Sequence, residues 1–164
     1  MIIEDGTGIA DANAFVTVAE FNTYATDRGI DPSDYDTEQI EGAIVVASYD
    51  FINFNYTFKG TPLTATQGMN IPTDLAPIDS IVKNATCAAA LLHLKGRLFV
   101  DASEIDVSGG IKSTKDAVGS LLTEIEYKDN GGYTYKYPTS QIDAMLSVYT
   151  IGGSGSAPST SLRF

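Results

Sequence analysis

The chain has 164 residues, 43% of them hydrophobic and 10% aromatic. That length favours one domain able to hide roughly 70% of its unfolded surface, and the composition excludes a chain disordered throughout. Ten Lys and Arg stand against 21 Asp and Glu, a formal charge of −11, and the basic residues are scattered, which argues against a surface built to track nucleic-acid phosphates.

The chain opens with "IEDGTGIADANAFV" after Met1 and Ile2. Its glycines and acids read as an extended N-terminal arm over residues 1–16. Thr17-Val18-Ala19-Glu20 then fits a capping box, and Val18, Phe21, Tyr24 and Ala25 recur at helical spacing up to Arg28. Gly29 suits the left-handed position that ends a helix. The turn region "IDPSDYDTE" offers Asp36 or Thr37 as the cap of a second helix, from about Glu38 to Asn53. Residues 55–77 carry Gly60, Pro62, Gly68, Pro72 and Pro77 and predict an irregular connector. A third helix is predicted from Ile78 to Val100, with Ala85, Ala88, Ala89 and Ala90 small enough for close approach by a neighbour. Beyond Asp101 the partial alternation around Leu121, Ile125 and Tyr127 and the turn Asp129-Asn130-Gly131-Gly132 before "YTYKY" predict a short β-hairpin or extended excursion at about 105–137. A last helix is expected to start at Pro138-Thr139-Ser140, where Ser140 can also act as a cap, and to run to about Tyr149. Residues 152–164 read as a flexible tail rich in Gly and Ser that finishes in Leu162-Arg163-Phe164. The fold class is thus mainly α: a small bundle of about four helices, organised as a single domain over 1–151 and a C-terminal docking tail over 152–164.

No stretch of the sequence spells out an active site. His93 is the lone histidine and no G-x-S-x-G nucleophile motif accompanies it. Cys87, the lone cysteine, lies in an apolar helical run and reads as a small buried hydrophobe. Asp31, Asp34, Asp36 and Glu38 lack the central glycine of a calcium loop, and Pro32 interrupts them. Glu4-Asp5-Gly6-Thr7-Gly8 has the look of a phosphate loop without its GK[ST] or a useful preceding strand. Tyr49, Phe51, Phe54, Tyr56 and Phe58 crowd one stretch with only Lys59 nearby, so a core or a subunit interface explains them better than base stacking. The expectation is a protein that is no enzyme, with no cofactor, no metal and no membrane contact. No Lys/Arg-led apolar signal begins the chain, and the run at 85–100 is too short and polar to cross a bilayer. Synthesis in the cytoplasm is expected.

The stretch "EDGTGIADANAFVTVAEFNTYATDRG" (4–29) resembles the opening signature of a tailed-bacteriophage head–tail connector, or neck adaptor, family often labelled DnaT-like single-stranded DNA-binding proteins. The resemblance continues through "IEGAIVVASYDFIN", "IDSIVKNATCAAALLHL" and "YPTSQIDAMLSVYTIGGSG". In Gln67-Gly68-Met69-Asn70-Ile71-Pro72-Thr73 the pattern Q-x-L-x-W-P-R is matched with Ile71 in place of its Trp and Thr73 in place of its Arg. The resemblance implies a structural virion protein of the neck, made in the bacterial host. It implies a ring, commonly of twelve copies, between the portal protein and the stopper or tail-completion protein, extending the channel through which genomic double-stranded DNA passes. It assigns Leu162, Arg163 and Phe164 to portal docking, and Asp5, Gly6, Thr7, Gly8, Asp11, Asn13 and Phe15 to an arm at the subunit interface. The family label carries the alternative: a single-stranded DNA-binding replication module, with another neck or tail-completion protein as a further reading.

Overall fold

A computed structural model of the chain describes residues 1–99 and 139–151, together with the backbone of 111–114 and 125–127. The chain divides into two compact units, Met1–Leu98 with Pro138–Phe164, and Phe99–Tyr137.

In the larger unit, α1 (Val18–Thr26) starts at the expected capping box. The Thr17 hydroxyl accepts from the Glu20 N–H, and the Glu20 side chain accepts from the Thr17 N–H at 2.8 Å. Gly29 takes φ +69° as the chain leaves the helix. Asp31 then caps a 3-10 turn, Pro32–Asp34. Asp36 caps α2 (Thr37–Val45) in a second reciprocal box with Gln39. The helix predicted to reach Asn53 is continuous, but its hydrogen bonding changes part-way: α2 passes into a π-helical segment, Val46–Ile52, and a last turn, α3 (Asn53–Asn55). The change falls at Val45-Val46, a β-branched pair whose side chains crowd the preceding turn.

Helix α4 (Ser80–Leu94) is capped by Asp79, which accepts from the N–H groups of Ile81 and Val82. It ends well before the predicted Val100. Gly96 adopts φ +65°, and its N–H turns back to the His93 carbonyl while that of Arg97 bonds Leu92, closing the helix end. Helix α5 (Ser140–Leu146) is also shorter than expected, and Thr139, not Ser140, precedes it, without a side-chain cap bond. Its continuation pairs elsewhere: Lys59 N–H bonds the Tyr149 carbonyl and Ile151 N–H bonds that of Thr57, both at 2.8 Å.

The core forms around α4. Val82, Ala85, Ala89 and Ala90 are fully buried, and Phe21, Ile44, Ile52, Ile142 and Leu146 close on them from the other helices. Of the predicted alanine stripe, Ala85, Ala89 and Ala90 thus pack into the core, and Ala88 is only partly buried against it. Two tyrosine–aspartate bonds tie distant segments together: Tyr56 Oη donates to Asp143 at 2.7 Å and Tyr149 Oη to Asp79 at 2.5 Å. Burial, then the Asp143 bond and charge, push the Tyr56 hydroxyl well above the usual tyrosine range.

In the smaller unit, β1 (Ile111–Thr114) pairs antiparallel with β2 (Ile125–Tyr127), with a register irregularity between Ile111 and Ser113. The expected strand at Ile125–Tyr127 is present, and its partner lies upstream. The expected turn at Asp129–Gly132, the "YTYKY" run and the tail 152–164 lie outside the described residues.

Candidate interaction surfaces

The first sixteen residues, expected as an extended arm, instead loop back on themselves, with positive φ at Gly6, Gly8 and Asp11, and close on the chain's own body. Ile3 and Ala14 form a parallel bridge. The Ile2 carbonyl accepts from the N–H groups of Asn13 and Ala14, and Asn13 Oδ1 accepts from the Ile2 N–H at 2.8 Å. Phe15 is fully buried, with its N–H bonded to Ser48 Oγ on the π-helical segment.

The opening "EDGTG" owes its shape to Glu4. This carboxylate is only 1% exposed. Its Oε1 accepts from the N–H groups of Gly6 and Gly8 at 2.9 Å, and its Oε2 from Ile9 at 2.7 Å. Backbone amides that converge in this way would make a concave anion site; here the chain's own carboxylate fills it. The likeness to a phosphate loop therefore has a structural cause. Glu4 was not among the candidate residues; an acid followed by glycines two and four positions on was the available signal.

The second part of the signature docks on the connector. Gly68 N–H bonds the Ile9 carbonyl, and Thr64 Oγ1 donates to the Gly8 carbonyl at 2.8 Å. A Cβ on Gly68 would lie 2.8 Å from the Ala12 carbonyl oxygen and 2.9 Å from its nitrogen. Gln67 holds the same connector by donating to the carbonyls of Met69 and Pro72. Ile71, in the place of the pattern's Trp, is fully buried. Thr73, in the place of its Arg, is 5% exposed; its hydroxyl donates to the Lys59 carbonyl and accepts from the Ala76 N–H.

Of the arm residues assigned to an interface, Asp5, Thr7 and Asp11 face outward, whereas Gly8 and Phe15 are buried within the chain and Gly6 and Asn13 are partly so. Bonds from the Thr7 hydroxyl and N–H hold the Asp5 carboxyl below the usual range. Leu162, Arg163 and Phe164 lie outside the described residues.

The aromatic cluster splits. Phe51, Tyr56 and Phe58 belong to the core, and Tyr49 and Phe54 form an exposed edge-to-face pair, 36% and 67% accessible, with centroids 5.4 Å apart. The residue beside Tyr49 is the exposed Asp50, and the nearest lysine in sequence, Lys59, donates to the Val148 carbonyl at 2.7 Å. Cys87 is buried, and burial pushes its thiol up to about 12. The acidic turn acts locally: Asp31 and Asp36 cap backbone N–H groups. Among the described residues no group of His, Cys, Asp and Glu is placed to hold a metal ion, and no helix is long and apolar enough to cross a membrane.

A family profile described as "Putative DnaT-like ssDNA binding protein" matches residues 1–163. The chain belongs to this family. No curated protein and no solved structure matches it. The Glu4 loop, the Gly68 contact and the alanine-lined α4 are the framework on which this DnaT-like chain is built.

Proposed function

We propose that this DnaT-like protein is a structural component of a tailed-phage neck, an adaptor that forms a ring between the portal and the stopper or tail-completion protein. It works by assembly and carries out no catalysis. The observation that carries this reading is electrostatic. The chain bears a charge of −11, and several described cations are engaged internally: Lys83 pairs with Glu20 at 2.6 Å, Arg28 lies 3.5 Å over the Tyr24 ring, and Lys59 bonds a carbonyl. Such a surface suits a channel through which double-stranded DNA slides without sticking. Outward-facing Asp5, Thr7 and Asp11 of the arm serve the contact between copies, and Leu162, Arg163 and Phe164 supply the docking element of the tail. The test is the mass of the complex formed with the neighbouring-gene portal protein, by light scattering on a sizing column. A portal-sized peak that gains about a dozen copies supports the ring. A chain that elutes apart from the portal removes the reading.

The family description favours a second reading, single-stranded DNA binding, and the exposed Tyr49–Phe54 pair is the surface that would stack bases. It predicts oligonucleotide affinity that falls steeply with salt and drops when Phe54 becomes Ala. Absence of binding at 50 mM salt removes it.

A further inference from the structure

Two features of the helical unit have no partner within the chain, and they are complementary. The first is a cavity of about 210 Å³, where the end of α1 and the loop after it meet α4 and the start of α5. Ile30, Leu91, Leu92 and Ile142 supply apolar walls, and the exposed cations Arg28 and Lys95 stand at its rim. An apolar cavity of roughly 150 Å³ already admits a benzene ring, so this one has room for an aromatic side chain. Arg28 is held in place: its guanidinium stacks on Tyr24 and Nη1 donates to the Tyr24 carbonyl at 3.1 Å. In the groove on the other side of Arg28, Lys83 is paired with Glu20, and Asp27 is the further acid. Among the described residues no acid lines the cavity itself. On a chain of charge −11, the cavity is thus an apolar hole under a positive rim.

The second feature is the ridge at the end of the α2–α3 helix. Among the described residues no large apolar side chain is more exposed than Phe54, at 67%. Its ring leans edge-on against Tyr49, five residues earlier, and the exposed Asp50 stands four residues before it. Where an α-helix widens to π, residues four and five apart share a face. The ridge therefore offers an aromatic ring with a carboxylate beside it, the complement of an apolar hole with cations beside it. We propose that the cavity seats the Phe54 ring of a second copy of this chain, with that copy's Asp50 carboxylate facing Arg28 and Lys95. An aromatic anchor in a pocket with a charged pair at its edge is the usual form of an energetic centre in an interface. A nucleic-acid strand fits the ridge less well, since Asp50 beside the rings repels phosphates. The inference rests on the ring reading and supplies a contact for it. The cavity and the Tyr49–Phe54 pair share no residue, so one patch meets a different patch and each copy can hold a neighbour on either side.

The experiment is sedimentation equilibrium of the full chain and of two kinds of variant. Lys95→Glu and Arg28→Glu spoil the cavity rim and leave the ridge intact. Phe54→Ala and Asp50→Lys spoil the ridge and leave the cavity intact. All four positions are exposed, and circular dichroism checks that each variant folds. The wild-type chain is expected to self-associate with rising concentration, and each variant to associate about tenfold or more weakly. A mixture of Lys95→Glu with Phe54→Ala is expected to restore association as a 1:1 complex, since one partner retains the ridge and the other the cavity. A wild-type chain that stays monomeric, variants that associate as well as wild type, or a mixture that restores nothing would overturn the proposal. So would oligonucleotide binding that Asp50→Lys strengthens and Phe54→Ala abolishes, which would give the ridge to a nucleic-acid strand. Portal binding by the same variants is scored separately. A ring of about a dozen copies on the portal that Phe54→Ala leaves unchanged would keep the ring reading and remove this contact.

Discussion

The loop at residues 4–9 and helix α4 are held by opposite physics. The loop contributes little apolar surface and is organised by one buried carboxylate that takes three backbone N–H groups. Helix α4 satisfies its own backbone and is held by apolar packing of Val82, Ala85, Ala89 and Leu91 against the other helices. The lesson is that two parts of one small core respond to different insults. The loop is sensitive to charge and backbone geometry, and α4 to side-chain volume.

Two nearly isosteric substitutions break the comparison most sharply. Glu4→Gln keeps the shape but sets an amide NH2 against backbone donors; it is expected to cost about 2–4 kcal/mol, since bonds to charged groups are the strong ones and a buried orphan donor is costly. Thr86→Val removes a buried hydroxyl that donates to the Val82 carbonyl at 2.9 Å. That carbonyl keeps its helical bond, so a change within about 0.5 kcal/mol is expected. Urea unfolding of both variants measures the contrast, and equal losses would remove it. A glycine pair follows with a smaller effect. Gly68→Ala drives a Cβ against the Ala12 backbone and is expected to destabilise by about 1–3 kcal/mol. Gly42→Ala, exposed in α2 with nothing within 4 Å of the new atom, is expected to stabilise by about 0.5–1 kcal/mol. Thermal melts of the two should move in opposite directions.

The same contrast decides what could be read in the sequence. The first two helix starts were legible because their signals are local: Thr17 and Glu20 sit within one turn of each other, and Asp36 stands directly before α2. The alanine face of α4 was legible from its period. Helix ends were less so. Gly96 stops α4 early, and the pairing of 149–151 with 57–59 shortens α5; the second is a long-range event that no local pattern announces. The candidate surfaces were the least legible. Phe15 looked free to reach a neighbour because its partner, Ser48, lies 33 residues away. Gly68 looked like a simple breaker because the Ala12 backbone that demands it lies far back in the sequence. The cavity rimmed by Arg28 and Lys95 draws on α1, α4 and α5 together, so only the fold assembles it.

The smallest expected effect tests the seam between α1 and α4. Glu20 is at once the reciprocal member of the α1 capping box and the partner of Lys83. Burial raises its carboxyl, but the bonds from Lys83 and Thr17, with the Lys83 charge, outweigh this and leave it below the usual glutamate range. A folded-state value below the unfolded one stabilises the protein above the ordinary glutamate pKa, and that contribution is lost as pH falls through the folded value. Both side chains are about 40% exposed, so screening limits the contribution to about 0.2–1 kcal/mol. Glu20→Gln retains an acceptor for the Thr17 N–H, as capping boxes allow, and removes only the charge. The variant should therefore trail wild type slightly at pH 7, and the gap should close as pH falls toward 3 and shrink in 1 M salt. Equal stability of the two proteins at pH 7 would show that Glu20 acts through its cap alone. The α1–α4 seam would then be held by packing, like the rest of the helical core.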